Sequence, residues 1–341
     1  MIEVAGLEKT YGGFSAVVDS TFSVEDGEVF GIVGPNGAGK TTTLKMLSGL
    51  IEPTSGEARV AGYDSTESAM RHHLGFLPEE SPLYEEMTAT SYLQFFADLY
   101  EVPRSVADER IERALDRLDL DHRDRRLGDV SKGMKRKVAI ARSLVNDPDV
   151  LVYDEPASGL DPVTTNSVLE FTRELREAGK TVVFSAHNLY HVESVCDRVV
   201  IMNEGRIVAR GTVDGIRERH GETTYHVYTD VPPEVGSGAT AVDANAIGDA
   251  EEVGDRYRTV VPSMDAVERV REIVSDAGGT VVDIRTREPS LEDVFLDIVG
   301  RPMPGRRGGA ESDGADRDAA SPEGGDRGPD DRTEAAPSEG T

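Results

Sequence analysis

The N-terminal two thirds of the chain alternates short apolar runs with helical patterns. Residues 2–33 are predicted to be mostly strand and end in the continuous apolar run Val29–Val33. A second run, Val150–Asp154, is apolar until its final acid. Continuous apolar runs are typical of parallel strands that are buried on both faces. Because strands and helices keep alternating up to about residue 215, the pattern predicts an α/β core with a parallel sheet and right-handed crossovers.

A helical insert is predicted at about residues 84–146. Its first two helices each have an apolar face, and the residues of these faces are Leu93, Phe96, Tyr100, Ile111, Leu115 and Leu118. Ser105 and Asp108 have the spacing of a capping box at the start of the second helix. We interpret the aromatic face of the first helix as core packing, with the docking of a helix from another protein as the alternative.

Residues 219–300 are predicted to form a second, smaller α+β domain. We expect strands at 223–229, 257–261 and 280–287 and helices at 264–277 and 288–300. Ser290 is placed to cap the last helix. The remaining tail, residues 301–341, is rich in Gly, Pro, Asp and Ser and poor in aromatic residues, which predicts disorder.

A glycine-rich motif follows the first apolar run. Residues 34–41 read GPNGAGKT, a Gly-x4-Gly-Lys-Thr pattern that leads into a helix predicted at 41–50. A strand, a glycine turn and a helix start together aim backbone N–H groups and a positive helix end at one anion. The motif therefore predicts a phosphate-binding loop in which Lys40 reaches the β- and γ-phosphates and Thr41 offers its hydroxyl to Mg²⁺. The predicted phosphate-binding residues are Gly34, Pro35, Asn36, Gly37, Ala38, Gly39, Lys40, Thr41 and Thr42.

Two acids end the second apolar run. Asp154 and Glu155 follow a predicted buried strand, whose carboxyl end is where parallel sheets place their active sites. An acidic pair here can also be an ordinary strand exit. Because the chain also carries a phosphate-binding loop, we interpret the pair as catalytic: Asp154 holds Mg²⁺ through water, and Glu155 polarises the attacking water.

Three further segments complete an ordered series of five. The stretch VSKGMKRK, residues 130–137, puts a serine and a glycine immediately before a helical pattern. SGLD follows the acidic strand end at residues 158–161, and His187 follows another apolar strand. In this order the five segments resemble the nucleotide-binding domain of an ABC ATPase over about residues 1–218. The resemblance implies a P-loop NTPase fold with a RecA-like parallel sheet, an antiparallel β subdomain and a helical subdomain.

The resemblance also implies an ATPase that works as a head-to-tail homodimer or pseudo-dimer. Each copy holds ATP and Mg²⁺ in its own P-loop, and the start of the Ser131 helix in the second copy contacts the γ-phosphate. Glu155 and His187 are the implied catalytic residues. The other implied nucleotide contacts are Tyr11, which stacks on adenine, Glu79, Ser131, Gly133, Asp154 and Asp161, and the implied Mg²⁺ ligands are Thr41, Glu79 and Asp154. Since stacking tolerates other bases, GTP remains an alternative to ATP.

Two residues depart from the usual family pattern. Glu79 stands where glutamine is usual in the loop that contacts Mg²⁺ and the membrane partner, and Lys132 stands where glycine is commoner in the segment 130–137. A carboxylate is still a hard oxygen ligand. These variants, and the C-terminal segment 288–300, are similar to exporter ATPases of the daunorubicin-resistance and sodium-efflux type. The alternatives are a soluble ABC ATPase acting on DNA or ribosomes and an importer ATPase.

The sequence predicts a cytoplasmic protein. Its longest apolar runs are far shorter than the ~20 residues that span a bilayer, and its N-terminal residues lack the pattern of a signal peptide. Transport would therefore require separate permease subunits in the membrane, with this chain held on the inner face of the cell membrane.

Acidic residues dominate the surface charge. The chain of 341 residues has a net charge of −27, and the tail 301–341 has ten acids and six arginines, so a balance of −23 remains on residues 1–300. Concentrated salt shortens the Debye length to roughly 3 Å near 1 M and screens such self-repulsion. We therefore infer a protein from a halophile. The same surface disfavours nucleic acid as a partner.

We predict that folding and ATPase activity require high salt. Residues 1–300 have a charge balance of −23, and their excess acidic side chains repel one another when they are unscreened. Circular dichroism and turnover, both measured across a salt series, test this expectation. Full activity together with an unchanged melting temperature at about 0.1 M salt would contradict it.

Overall fold

The computed structural model describes residues 1–221, 223–233 and 250–300. The strands are β1 (Ile2–Tyr11), β2 (Phe14–Val24), β3 (Val29–Val33), β4 (Ser55–Val60), β5 (Tyr63–Asp64), β6 (Leu74–Leu77), β7 (Val150–Tyr153), β8 (Thr181–Ala186), β9 (Arg198–Asn203), β10 (Arg206–Thr212), β11 (Thr224–Thr229), β12 (Glu251–Val253), β13 (Arg256–Val261) and β14 (Val281–Arg287). The helices are α1 (Lys40–Leu47), α2 (Ala89–Leu99), α3 (Arg104–Arg117), α4 (Lys132–Arg142), α5 (Pro162–Glu177), α6 (Leu189–Val195), α7 (Val213–His220), α8 (Met264–Asp276) and α9 (Leu291–Gly300). Short 3₁₀ segments lie at Ser68–His73 and Leu127–Asp129. The predicted tail, residues 301–341, lies outside the described residues.

A six-stranded sheet forms the centre of the fold. Its strand order is β10-β9-β3-β8-β7-β6, and the strands from β9 to β6 pair in parallel while β10 pairs antiparallel with β9. Every residue of β3, β7 and β8 is buried, as the continuous apolar runs predict. The predicted α/β fold class is confirmed.

Successive residues of the central strands face opposite layers. In β3, Val29 and Val33 pack into a core that includes α2 to α6, whereas Phe30 and Ile32 pack into a core that includes α1 and the first antiparallel sheet. This alternation follows from the two-residue period of a strand. The second sheet has the order β2-β1-β4-β5 and is antiparallel.

The helical insert buries the apolar faces that the sequence predicts. Leu93, Ile111, Leu115 and Leu118 are buried, and Phe96 packs against the same core. These contacts agree with the interpretation of the predicted faces as core packing.

The predicted capping box at Ser105 and Asp108 is wrong. Helix α3 begins at Arg104, directly after Pro103, so Ser105 already lies inside the first turn. Proline fits this position because its fixed φ and missing N–H suit a helix start. The Asp108 carboxylate instead accepts a hydrogen bond from Gln94 Nε2 at 3.1 Å.

The capping box of the insert lies at the start of α2. Thr88 Oγ1 accepts a hydrogen bond from the Ser91 amide at 3.2 Å, and Ser91 Oγ accepts one from the Thr88 amide at 2.9 Å. The sequence pattern does not indicate this box because serine stands where the motif usually has Glu or Gln.

Strands β11 to β14 form a third, antiparallel sheet with the order β12-β13-β11-β14. Helix α8 packs on one face of it through Val267, Val270 and Val274. In contrast, the last helix, α9, packs Leu291 and Val294 into the large core beside α6 and α7. Its predicted cap is confirmed, since Ser290 Oγ accepts a hydrogen bond from the Asp293 amide at 3.1 Å.

Candidate nucleotide-binding and catalytic site

A cavity of about 630 Å³ lies at the carboxyl ends of the central strands. Its lining residues come from the β2 strand, the glycine-rich loop and the segments after β6, β7 and β8. They are Phe14, Ala16, Pro35, Asn36, Gly37, Ala38, Gly39, Lys40, Thr41, Thr42, Glu79, Glu155, Ser158 and His187. The cavity therefore brings together most of the predicted phosphate-binding residues with both predicted catalytic residues.

The loop between β3 and α1 requires glycine. Gly39, directly before α1, has φ +101°, and a Cβ atom there would lie 2.5 Å from the Ala16 carbonyl oxygen. A Cβ atom on Gly34 would lie 2.3 Å from the Met202 carbonyl oxygen. The loop therefore packs against neighbouring backbone at distances that a side chain does not permit. Because glycine has no side chain to cap α1, the first N–H groups of this helix are left for an anion.

Lys40 is buried at the floor of the cavity. Its Nζ donates to the Gly34 carbonyl at 2.8 Å and lies 3.7 Å from Glu155 Oε1. The ammonium group therefore lies between the loop and the carboxylate that follows β7. This cation and the helix start both favour a bound anion such as a phosphate.

Asp154 and Glu155 occupy different environments. Asp154 is 1% exposed, and its Oδ1 accepts a hydrogen bond from Ser185 Oγ at 2.6 Å. Glu155 reaches the cavity, where its Oε2 lies 2.7 Å from His187 Nδ1. Glu155 also has φ +47°, a conformation that costs a non-glycine residue energy and is often found at functional sites.

Ser185 is a site residue that sequence reasoning missed. It lies on β8, next to β7, and its hydroxyl accepts a hydrogen bond from the Glu155 amide at 2.9 Å while it donates to Asp154. One buried hydroxyl therefore fixes both acids. The signal was a single serine inside the apolar run TVVFSA.

The predicted Mg²⁺ ligands offer oxygen atoms. Thr41 and Glu79 line the cavity, and Asp154 is buried at the end of β7 next to Glu155. Hydroxyl and carboxylate oxygens are the donors that Mg²⁺ prefers, so the donor set fits this ion.

Six predicted residues are absent from the cavity wall, as far as the structure describes the chain: Tyr11, Gly34, Ser131, Gly133, Asp154 and Asp161. Ser131 caps α4, since its Oγ accepts a hydrogen bond from the Met134 amide at 3.2 Å. Asp161 caps α5 by accepting from the Val163 amide at 3.1 Å. A hydrogen bond from the Thr164 hydroxyl lowers the pKa of Asp161.

The tip of the β1-β2 hairpin carries two exposed aromatic residues. Tyr11 and Phe14 are paired in register, and Lys9 Nζ lies 5.2 Å from the centre of the Tyr11 ring. Phe14 lines the cavity, which sequence reasoning did not predict.

Within the described ranges, no helix combines the length and the apolar character that a bilayer crossing requires.

Two family models match the chain. The model for ABC transporters matches residues 17–158, and the model for the C-terminal domain of DrrA1-3-like ATP-binding proteins matches residues 211–299. The first match includes the glycine-rich loop and the acidic strand end, and the second includes the antiparallel C-terminal sheet.

Similar proteins cover nearly the whole chain. A daunorubicin resistance ATP-binding protein of Streptomyces coeruleorubidus is 32% identical over 88% of this chain and 96% of its own length. A Nod factor export ATP-binding protein I of a Rhizobium species is 34% identical over 89% of this chain and 98% of its own length. Among solved structures, a bacterial ABC transporter cassette, solved as a dimer, matches with a TM-score of 0.57 and 26% identity, covering 62% of this chain and 98% of the cassette.

We predict that Ser185→Ala lowers the free energy of unfolding by about 1–3 kcal/mol, because it leaves Asp154 and the Glu155 amide without a buried partner. Ser48→Ala is the matched control. The Ser48 hydroxyl is also buried, but its acceptor, the Leu44 carbonyl, keeps the hydrogen bond from the Ser48 amide at 2.9 Å. Chemical denaturation measures both variants. Equal midpoints for Ser185→Ala and wild type would contradict the role assigned to this hydroxyl.

Proposed function

Because the chain belongs to the ABC transporter ATP-binding proteins, we propose that it is the ATP-hydrolysing subunit of an exporter and acts with a separate membrane permease. The main support for ATPase activity is that residues of the glycine-rich loop, Lys40, Glu155 and His187 all line one cavity. The export relatives, which match along nearly their whole length, favour export over the DNA, ribosome and importer alternatives.

The proposed binding step uses the loop and Lys40. The first N–H groups of α1 and the Lys40 ammonium bind the β- and γ-phosphates of ATP, and the Lys40 Nζ exchanges its Gly34 carbonyl partner for phosphate oxygens. In the proposed Mg²⁺ site, Thr41, Glu79 and Asp154 hold the ion. When bound, Mg²⁺ neutralises charge that develops on the phosphate oxygens.

The proposed chemical step uses Glu155 as general base. Its carboxylate lines the cavity and takes a proton from the attacking water, while His187 Nδ1, 2.7 Å from Oε2, holds the carboxylate in place. The buried amide of Glu155 is fixed by Ser185, so the side chain starts from a defined position. A base that is held in this way needs little reorganisation during the reaction.

We further propose that Tyr11 stacks on the adenine ring. The ring is exposed at the hairpin tip and lies next in register to Phe14, which lines the cavity. Phe14 is therefore the alternative stacking residue. Since stacking does not read the base, GTP remains an alternative nucleotide.

The proposed active form is a head-to-tail homodimer or pseudo-dimer. Ser131, Gly133 and Asp161 are absent from the described wall of the cavity in their own copy, and Ser131 begins a helix whose N–H groups suit a phosphate. Their proposed role is to contact the ATP that the second copy holds. The dimeric state of a matching cassette supports this arrangement.

The proposed permease contact is an exposed apolar surface of the helical insert, formed by Tyr84, Phe95 and Leu99. The Tyr84 and Phe95 ring centres lie 5.8 Å apart. Tyr84 follows the Glu79 loop, so a permease helix docked here would be close to the nucleotide cavity. The chain would then lie on the inner face of the membrane, where ATP is available.

We also propose the predicted domain division: a nucleotide-binding domain at residues 1–218 and a small α+β domain at residues 219–300. The separate core between α8 and the third sheet supports a distinct C-terminal unit. The packing of α9 against α6 and α7 supports a fixed connection between the two.

We predict that Glu155→Gln abolishes hydrolysis and traps a dimer. Glutamine keeps the size of the side chain but cannot take a proton from water, so ATP binding persists while the chemical step fails. Light scattering with ATP and Mg²⁺ should give twice the monomer mass of 36.8 kDa. Adding Ser131→Arg should return the protein to monomer. Hydrolysis at the normal rate by Glu155→Gln would refute the assignment of the base.

We predict that Glu79→Gln keeps ATP binding and changes turnover by no more than about tenfold, or about 1.4 kcal/mol, because an amide oxygen still reaches Mg²⁺. Glu79→Ala should do more damage, chiefly to stimulation by the permease. Glu80→Ala is the control, since the neighbouring side chain does not belong to the described wall of the cavity. Wild-type turnover for both Glu79 variants, with and without permease, would argue against a role for Glu79.

A further inference from the structure

Arg136 is the most extensively bonded side chain near the proposed catalytic site. It lies in the second turn of α4 and is 8% exposed. Its five N–H groups match five carbonyl oxygens, those of Pro78 (2.7 Å), Glu79 (2.9 Å), Asp154 (2.9 Å), Glu155 (2.8 Å) and Pro156 (2.8 Å). One guanidinium group therefore directs its donors almost entirely at backbone, and its one further contact is with Ser81 Oγ at 3.5 Å.

These carbonyl groups belong to two segments that are separate in the chain. Pro78 and Glu79 follow β6, and residues 154–156 follow β7, its parallel neighbour. These residues lie past the paired ends of the strands, so their buried and partly buried carbonyl groups need donors from outside the sheet. Arg136 supplies these donors from a third segment, the helix that Ser131 caps.

The charge of Arg136 is retained at neutral pH. Burial lowers the pKa of Arg136 to about 10, and the nearby Asp154 and Glu79 carboxylates oppose this shift. A cation therefore lies close to the Asp154 and Glu79 carboxylates. Lysine could not replace this arrangement, since an ammonium group has three donors and lacks the planar fork of a guanidinium.

We propose that Arg136 is a positioning residue that makes the Glu79 loop, the Asp154–Glu155 segment and the start of α4 move as one body. Through this link, the position of the Glu155 base follows the position of the Ser131 helix start and of the loop that faces the permease. Arg136 acts through backbone, because it does not belong to the described wall of the cavity. The inference rests on the roles proposed above for Glu155 and Ser131.

Arg142 provides a matched control on the same helix. Its Nη1 donates to Tyr92 Oη at 3.0 Å, and its guanidinium lies 5.4 Å from the centre of the Phe96 ring. These contacts hold α4 to α2 and do not involve the segments after β6 and β7. A substitution of Arg142 therefore removes an arginine from α4 and leaves the bonds between Arg136 and the two segments in place.

The first experiment compares Arg136→Lys with Arg142→Lys in the full chain. Turnover and the dissociation constant for ATP are measured at a temperature where circular dichroism shows both variants folded. For Arg136→Lys we expect turnover to fall about tenfold or more while the dissociation constant changes less than about threefold, which is the signature of a lost catalytic geometry. For Arg142→Lys we expect both quantities to stay within about threefold of wild type. Equal turnover for Arg136→Lys and wild type would overturn the proposal.

The second experiment does not depend on activity. Hydrogen exchange of the backbone amides is measured for peptides that cover residues 77–82 and 154–160. In Arg136→Lys both peptides should exchange faster than in wild type, and in Arg142→Lys neither should. Unchanged exchange in both peptides of Arg136→Lys would overturn the link. If the wild type itself fails to hydrolyse ATP, the proposed function fails, and this exchange measurement still decides whether Arg136 joins the segments.

Discussion

The site depends on the burial of two adjacent carboxylates, Asp154 and Glu155, which are 1% and 7% exposed. Taking a carboxylate out of water costs several kcal/mol unless hydrogen bonds and opposite charges offset the loss. The offsetting groups come from distant parts of the chain. Ser185 bonds Asp154, and Lys40 and His187 approach Glu155. Arg136 bonds the backbone carbonyl groups of both acids, and its charge interacts with the Asp154 carboxylate. The burial of the two acids therefore depends on groups from the sheet, the glycine-rich loop and α4.

The strand order explains how these distant groups meet. β3, β8 and β7 are consecutive neighbours and run in parallel, so the segments that follow them leave the same edge of the sheet. This edge is where open α/β sheets bind ligands. The glycine-rich loop, His187 and the two acids thus converge without any long excursion of the chain. The same arrangement leaves the start of α4 outside the described wall of this cavity, which is why we propose that a second copy completes the site.

The sequence predicted those parts of the site that are local. The glycine-rich loop, the helix start at Ser131 and the acids after β7 each follow from a short stretch of residues and its neighbours. The capping box at Ser105 failed for a local reason, because the helix starts two residues earlier, directly after the proline at position 103.

The missed residues depend on tertiary contacts. Ser185 bonds residues that follow the neighbouring strand β7. Arg136 bonds Pro78, more than fifty residues earlier in the chain, and Asp154, eighteen residues later. Phe14 lines the cavity because its hairpin reaches it. No sequence spacing encodes such contacts. The roles of the predicted residues in binding, the domain boundaries and the inferred salt dependence remain predictions.

The charge of the chain bears on the proposed dimer more than on the fold of one copy. A head-to-tail pair brings together two surfaces with a balance of −23 each on residues 1–300, and each ATP adds further negative charge between them. The attraction that opposes this repulsion comes from short-range contacts at the phosphates, namely the helix starts and Lys40. Salt screens charges beyond the Debye length of about 8–10 Å at ordinary ionic strength but weakens buried contacts much less. Added salt therefore removes the long-range repulsion between the copies and leaves most of the attraction at the nucleotide, so dimerisation should respond to salt more steeply than folding does.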